Sequence, residues 1–209
     1  MLEPFATKCP KHLQSLAGRE EHLAGDKVMW ELLIVGVIVV GAIVMYNSLV
    51  RLRETADGAW ADIDVQLKRR YDLVPNLVAT VKGYAGHEKD TLEGVIAART
   101  NAMSAQGPAA KGAAENILSG TLKSLFALSE AYPQLQAADG FRDLQNTLSE
   151  IEDTLAQARR YYNAVVRDSN TKTQTFPSVV IAKSFGFIQR EFFEIEEAAK
   201  AVPTVDFNS

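Results

Sequence analysis

Residues 46–84 read YNSLVRLRETADGAWADIDVQLKRRYDLVPNLVATVKGY, and the spacing of apolar residues in this stretch decides the fold. Leu49, Leu52, Ala56, Trp60, Ile63, Leu67, Tyr71, Val74, Leu77, Val81 and Tyr84 recur at gaps of three or four. A helix turns once in about 3.6 residues, so these side chains form one continuous seam about five heptads long. Such a seam is stable only when another helix covers it. Pro75 removes a ladder hydrogen bond and is expected to kink the helix, and Gly83 and Gly86 weaken its end. The period alone leaves open whether the chain turns at 83–86 or runs on through Leu92, Val95, Ile96 and Met103.

Immediately before the seam, residues 28–46 carry a single charge, Glu31, and residues 32–45 carry none. About nineteen residues at 1.5 Å each make roughly 28 Å of helix, close to the thickness of a bilayer core. Trp30 and Tyr46 bracket the stretch as interfacial aromatics do. This predicts a transmembrane anchor that leads without a proline or loop signal into the seam helix. A cleaved signal peptide fits less well, because no A-x-A site follows the apolar stretch and its leader mixes acids with bases. Arg51 and Arg53 follow it closely and favour a cytoplasmic body. Residues 1–27 are expected to be a disordered leader; Met29 would also serve as a start, and starting there leaves almost nothing before the anchor and favours a body that stays in the cytoplasm.

Downstream, 105–112 is an Ala/Gly/Pro link, and a helix is expected over 113–132 with Ile117, Leu118, Leu122, Leu125 and Phe126 inward. Asp139 is a plausible N-cap for the next helix. There Phe141, Leu144, Leu148, Ile151, Leu155, Ala158, Tyr162 and Val165 again keep helical spacing. Helix is expected to stop before the polar 171–177 stretch, which ends in Phe-Pro. Residues 179–181 are too short to assign, and 185–201 read as a short final amphipathic helix. No strand pattern appears. The expectation is therefore an all-α chain: one transmembrane helix continuing into an antiparallel bundle of about four long helices, over 47–201, with a tail at 202–209.

The 209 residues are 47% hydrophobic and 23% charged, with a formal net charge of −4 that gives no overall attraction to nucleic acid. One cysteine excludes an intrachain disulfide. Cys9-x-x-His12 with His22 lacks a fourth metal ligand. His87-Glu88 begins like H-E-x-x-H, but position 91 is threonine. There is no P-loop, no Gly-x-Gly-x-x-Gly, and no nucleophile–His–acid arrangement that spacing identifies. The residues thus suggest no catalytic group, metal or cofactor.

The charged positions are better read as a surface. Asp62, Asp64, Lys68, Arg69 and Arg70 are the candidate contacts to a membrane-protein partner or to other copies in a homo-oligomer. The basic run lies roughly 30–35 Å along the helix from the anchor, beyond reach of lipid headgroups. Asn163 and Asn170 are one heptad apart on one helix face, where buried amides can fix the register of a bundle or oligomer. Capping and side-chain hydrogen bonds near the helix end are the plainer alternative.

Several runs together carry a resemblance. Tyr46-Asn47-x-Leu49-Val50-x-Leu52-Arg53, Trp60-x-Asp62-Ile63-Asp64-Val65-Gln66-Leu67-Lys68-Arg69-Arg70 and Leu73-Val74-Pro75-Asn76-Leu77-Val78 occur in order. Val81-Lys82-Gly83-Tyr84-Ala85-x-His87-Glu88, Glu130-x-Tyr132-Pro133, Arg159-x-Tyr161-Tyr162-Asn163-x-x-Val166 and Phe176-Pro177-Ser178-x-x-Ile181-Ala182 follow. Over roughly 45–195 the chain resembles the LemA family. The resemblance implies a bacterial inner-membrane protein with one N-terminal anchor and long antiparallel helices. Some relatives are linked with shaping internal membranes, as in magnetosome formation, and no catalytic residues carry over. It also marks 1–27 as an addition that most members lack. The expected function is a membrane-anchored structural or adaptor protein acting on the lipid bilayer. The rivals are a regulatory subunit of a membrane phosphatase or protease, and a hydrolase or metal enzyme with a site between helices.

Overall fold

The computed structural model describes the backbone of residues 11–194 and the side chains of 29–194. Six helices follow in order: α1 (Lys11–Tyr84), α2 (Lys89–Ser104), α3 (Pro108–Ser129), α4 (Pro133–Gln136), α5 (Asp139–Gln174) and α6 (Ser178–Ser184). No strand occurs among the described residues. The helix from Lys11 includes most of the segment expected as an irregular leader, and Cys9, His12, His22 and the 202–209 tail lie outside the described side chains. The chain divides into two units, Met1–Ser48 and Leu49–Ser209.

In the first unit the described part is a single apolar helix. Leu32, Ile34, Val37, Ile38 and Val40 are all more than half exposed, and only 6% of the most apolar window is buried. A core helix would be covered by its own chain; this one is not. It is long and apolar enough to cross a membrane.

In the second unit α1, α2, α3 and α5 run up, down, up and down. The directions follow from pairs of contacts. The Trp60 ring lies 5.4 Å from Tyr162, and Arg70 lies 3.2 Å from Glu152. Ten residues forward on α1 is thus ten residues back on α5, which makes the two antiparallel. Asp64 pairs with Lys111 and Arg70 with Glu115, so α3 runs with α1. The α1–α2 turn falls at 85–88, and Arg99 of α2 returns to donate to the Tyr71 carbonyl at 2.7 Å.

The seam faces inward as its period requires. Ile63, Leu67, Val74, Leu77 and Val81 are fully buried, and among its members only Tyr84, at the end of α1, is exposed. Leu118, Leu122 and Leu125 of α3 and Phe141, Leu148, Leu155 and Tyr162 of α5 meet it. Pro75 sits within α1, which continues to Tyr84.

Several expectations need correction. Helix α3 begins at Pro108, since proline at the first helical position loses no bond the helix needs. Its seam runs through Glu115, Leu118, Leu122 and Leu125, which turns Ile117 outward to 59% exposure. Helix α5 runs to Gln174, four residues into the polar stretch, because Asn170 and Thr173 are buried there. The largest change is at the C-terminus. The chain leaves α6 through Gly186 at φ +71°, a conformation that L side chains rarely adopt, and 187–194 is non-helical strap. Residues 195–201 lie outside the described part.

A buried polar cluster and an asparagine clamp

Arg70 is the candidate surface residue that the structure moves. Leu67 precedes it by three residues and Val74 follows by four, so it belongs to the buried side of α1 and is 3% exposed. Its guanidinium donates to the Glu115 carboxylate at 2.9 Å and to the Ser119 hydroxyl at 2.9 Å, and pairs with Glu152 at 3.2 Å. Tyr71 donates its hydroxyl proton to the other Glu115 oxygen. Burial pushes the Glu115 carboxyl above the ordinary range, against the opposing pull of Arg70 and Tyr71. Burial also raises Tyr71, helped by its bond to Glu115. Arg70 is therefore a structural cation and not part of an exposed interface.

The other members of that candidate surface stay outside. Asp62, Lys68 and Arg69 are exposed, and Asp64 is exposed but paired with Lys111 at 3.0 Å. Arg69 lines an open cleft of about 420 Å³ between α1 and α5, together with Gln66, Asp72, Thr147, Glu150 and Thr154. Trp30 and Tyr46 are exposed at the two ends of the apolar stretch. His87 is exposed as well. Among the described residues no three His, Cys, Asp or Glu side chains converge, and every buried side-chain nitrogen or oxygen has a hydrogen-bond partner.

Asn163 and Asn170 use their side-chain hydrogen bonds on a segment distant in the chain, the strap. Each side-chain amide makes a matched pair of bonds to one residue of the strap. Asn163 accepts from the Phe193 N–H and donates to the Phe193 carbonyl, both at 3.0 Å. Asn170 does the same with Arg190, at 2.8 and 2.9 Å. The spacing explains why two residues suffice. Seven helical residues rise about 10.5 Å, and three extended residues span about 10 Å. One heptad on α5 therefore keeps step with positions 190 and 193.

Side chains complete the clamp. Phe193 is fully buried with its ring edge-on to Trp60 at 5.5 Å, and the Tyr162 hydroxyl donates to the Glu191 carbonyl at 3.0 Å. Arg190 pairs with Asp57 at 2.7 Å. On α3 the strap lies so close that a Cβ on Gly112 would collide with the Glu194 carbonyl. The asparagines thus supply the strap with the backbone partners that a helix would have provided internally. Replacing Asn170 with alanine leaves the Arg190 N–H and carbonyl without their partners and is expected to destabilise the chain by about 1–3 kcal/mol. Amide exchange at Arg190 should speed up markedly, while exchange at core positions of α1 changes only with global stability. Unchanged protection at Arg190 would contradict the clamp.

Glu115 was not legible as a site residue, although its place in the 115–118–122–125 spacing marks it as inward. The family match covers the same elements. The LemA family model matches residues 59–207, from Trp60's turn of α1 through the strap. The magnetosome protein MamQ of Magnetospirillum gryphiswaldense is 27% identical over 186 residues, covering 77% of this chain and 68% of that protein. Magnetosome proteins MamQ 1 and MamQ 2 of Paramagnetospirillum magneticum are 26% identical over the same share. With its all-helical fold and a family match across most of its length, the chain belongs to the LemA family.

Proposed function

We propose that this protein is a membrane-anchored, non-catalytic structural or adaptor protein whose helical bundle organises a membrane by binding copies of itself or a membrane-protein partner. The observation that carries the reading is the bare apolar surface at 29–46. Burying one large aliphatic side chain there is worth about 1.5–3 kcal/mol, and ten Val, Leu and Ile side chains are exposed between 32 and 44. A bilayer is the surrounding that covers them all at once. Arg51 and Arg53 beside it support a cytoplasmic bundle at the inner membrane.

The bundle's own polar groups support a binding role over catalysis. Arg70, Glu115 and Tyr71 spend their bonding capacity on one another, and Asn163 and Asn170 spend theirs on the strap. Of the candidate surface residues on α1, Asp62, Lys68 and Arg69 stay outward beside the ion-paired Asp64. Asp62 and Arg69 are one heptad apart with opposite signs, a pattern suited to lateral pairing. The MamQ relatives are named as magnetosome proteins, which supports work on an organised membrane. Mass photometry of the full chain in detergent at micromolar concentration tests self-association. Dimers or larger species are expected, and they should dissociate with salt if charge pairing dominates. A clean monomer would count against the proposal.

A further inference from the structure

Two apolar side chains outside the anchor are barer than any large hydrophobic within it. Phe176 is 84% and Ile188 81% exposed, against 72% for Val37, the most exposed of residues 29–46. Val180 of α6 lies between them in sequence and is also exposed. Helix α6 buries Ser178 and Ala182 and turns Val180 outward with Lys183, three residues on, so one face carries an apolar and a basic group. The Phe187 N–H donates to the Ala182 carbonyl at 2.9 Å, which holds the neighbouring Ile188 beside that helix.

These residues sit at the end of the second unit that begins with Leu49. Arg53 lies 5.9 Å from the Phe187 ring and Arg190 pairs with Asp57, so the strap starts beside the first turns of α1 in that unit. The register set by Trp60 with Tyr162 and Arg70 with Glu152 brings the last turn of α5 opposite Leu49, and α6 follows from it within four residues. Leu49 lies three residues beyond Tyr46, a stretch that spans at most about 10 Å. Chain connectivity alone therefore keeps this end near the lipid boundary, whatever angle the two units take.

The charge of this end suits a headgroup layer. Residues 48–57 and 171–190 carry Arg51, Arg53, Lys172, Lys183 and Arg190 against Glu54 and Asp57, in a chain whose formal net charge is −4. Both acids pair with arginines, Glu54 with Arg53 at 3.4 Å and Asp57 with Arg190 at 2.7 Å. Exposed apolar groups among cations favour the boundary between headgroups and acyl chains, and anionic lipid strengthens the attachment. The same patch on a second copy would set cation against cation.

Resting on the anchored reading above, we infer that this end of the bundle is a second, interfacial contact with the membrane. Phe176, Val180 and Ile188 enter the headgroup–acyl boundary of the anionic bilayer that holds the anchor, and Arg51 and Lys183 meet its phosphates. Two attachments fix which face of the bundle looks at the membrane, which a single tether does not.

Depth measurement on the full-length chain tests this. The protein carries Cys9→Ser and one added cysteine bearing the fluorophore NBD, in phosphatidylcholine–phosphatidylglycerol vesicles that contain nitroxide-labelled lipid. The label is placed at Ser184→Cys beside the patch, at Ala131→Cys beyond the far end of α3, or at Ile38→Cys in the anchor. Quenching at 184 at least about two-fold that at 131 is expected, for side chains lying roughly 5–10 Å into the boundary. Phe176→Ser with Ile188→Ser should return it to the level at 131, and vesicles of phosphatidylcholine alone should lower it. Both replaced side chains lie outside the core, and the unsubstituted patch alone decides the outcome. Equal quenching at 184 and 131, with strong quenching at 38, would overturn the contact and leave the anchor standing. Blue-shifted emission at 184 that lipid nitroxide does not quench would also overturn it, because a second copy or another protein then covers the patch. Weak quenching at 38 would sink the anchored reading, and this contact with it.

Discussion

Arg70→Met should destabilise the bundle by about 3–5 kcal/mol at neutral pH, because it strips a buried carboxylate of its cation. Glu115 is fully buried, and Arg70 exerts the largest of the pulls that hold its carboxyl down against burial. Without it the folded-state carboxyl moves further above the ordinary value of 4.5. A group raised in the folded state gives stability that is complete below its unfolded value and lost as pH rises through the folded one. The deficit of the variant should therefore be small in acid and grow as pH rises above the ordinary carboxylate range. Urea unfolding at several pH values measures it. Arg70→Met combined with Glu115→Gln should recover most of the loss, since glutamine still accepts from Tyr71 and leaves no buried charge. A deficit that does not change with pH would show that packing, not the buried charge, sets the cost.

Phe193→Ala is expected to cost a similar amount, about 3–5 kcal/mol. The ring is fully buried against Trp60, which itself packs on Tyr162, and its removal leaves a cavity among these side chains. The loss should come with release of the strap, seen as faster proteolysis at 187–194. Gly112→Val should release it from the other side, by driving a side chain into the Glu194 carbonyl. Thermal unfolding and limited proteolysis distinguish a loosened strap from a collapsed bundle: α1 and α5 resist cleavage in the first case.

Much of this architecture is legible in the residues because its causes are local. A buried helix face repeats every three or four residues, and the seams of α1 and α5 do so from end to end. The apolar stretch is legible because its length matches a bilayer. The parts that were not legible depend on partners distant in the chain. Three consecutive cations at 68–70 read as one charged face, yet successive helical residues are about 100° apart. The third therefore lands among Leu67 and Val74, and only its pairing with Glu115, on another helix, makes the burial tolerable.

The strap shows the same limit more sharply. Its phenylalanines have a spacing compatible with a helix, and the sequence reading assigned one. In an extended segment the backbone groups need partners from elsewhere, and here they come from two amides on α5. The heptad between Asn163 and Asn170 announces that something is read in register. It does not say that the thing read is a peptide from the same chain.

The claim on which the function rests is that 29–46 is held in lipid, and alkaline carbonate extraction of membranes containing the full-length chain measures it most directly. The protein is predicted to stay with the sedimented bilayer after the wash. Its recovery in the supernatant would mean that something other than lipid covers those side chains, and the account of an anchored organiser would fail.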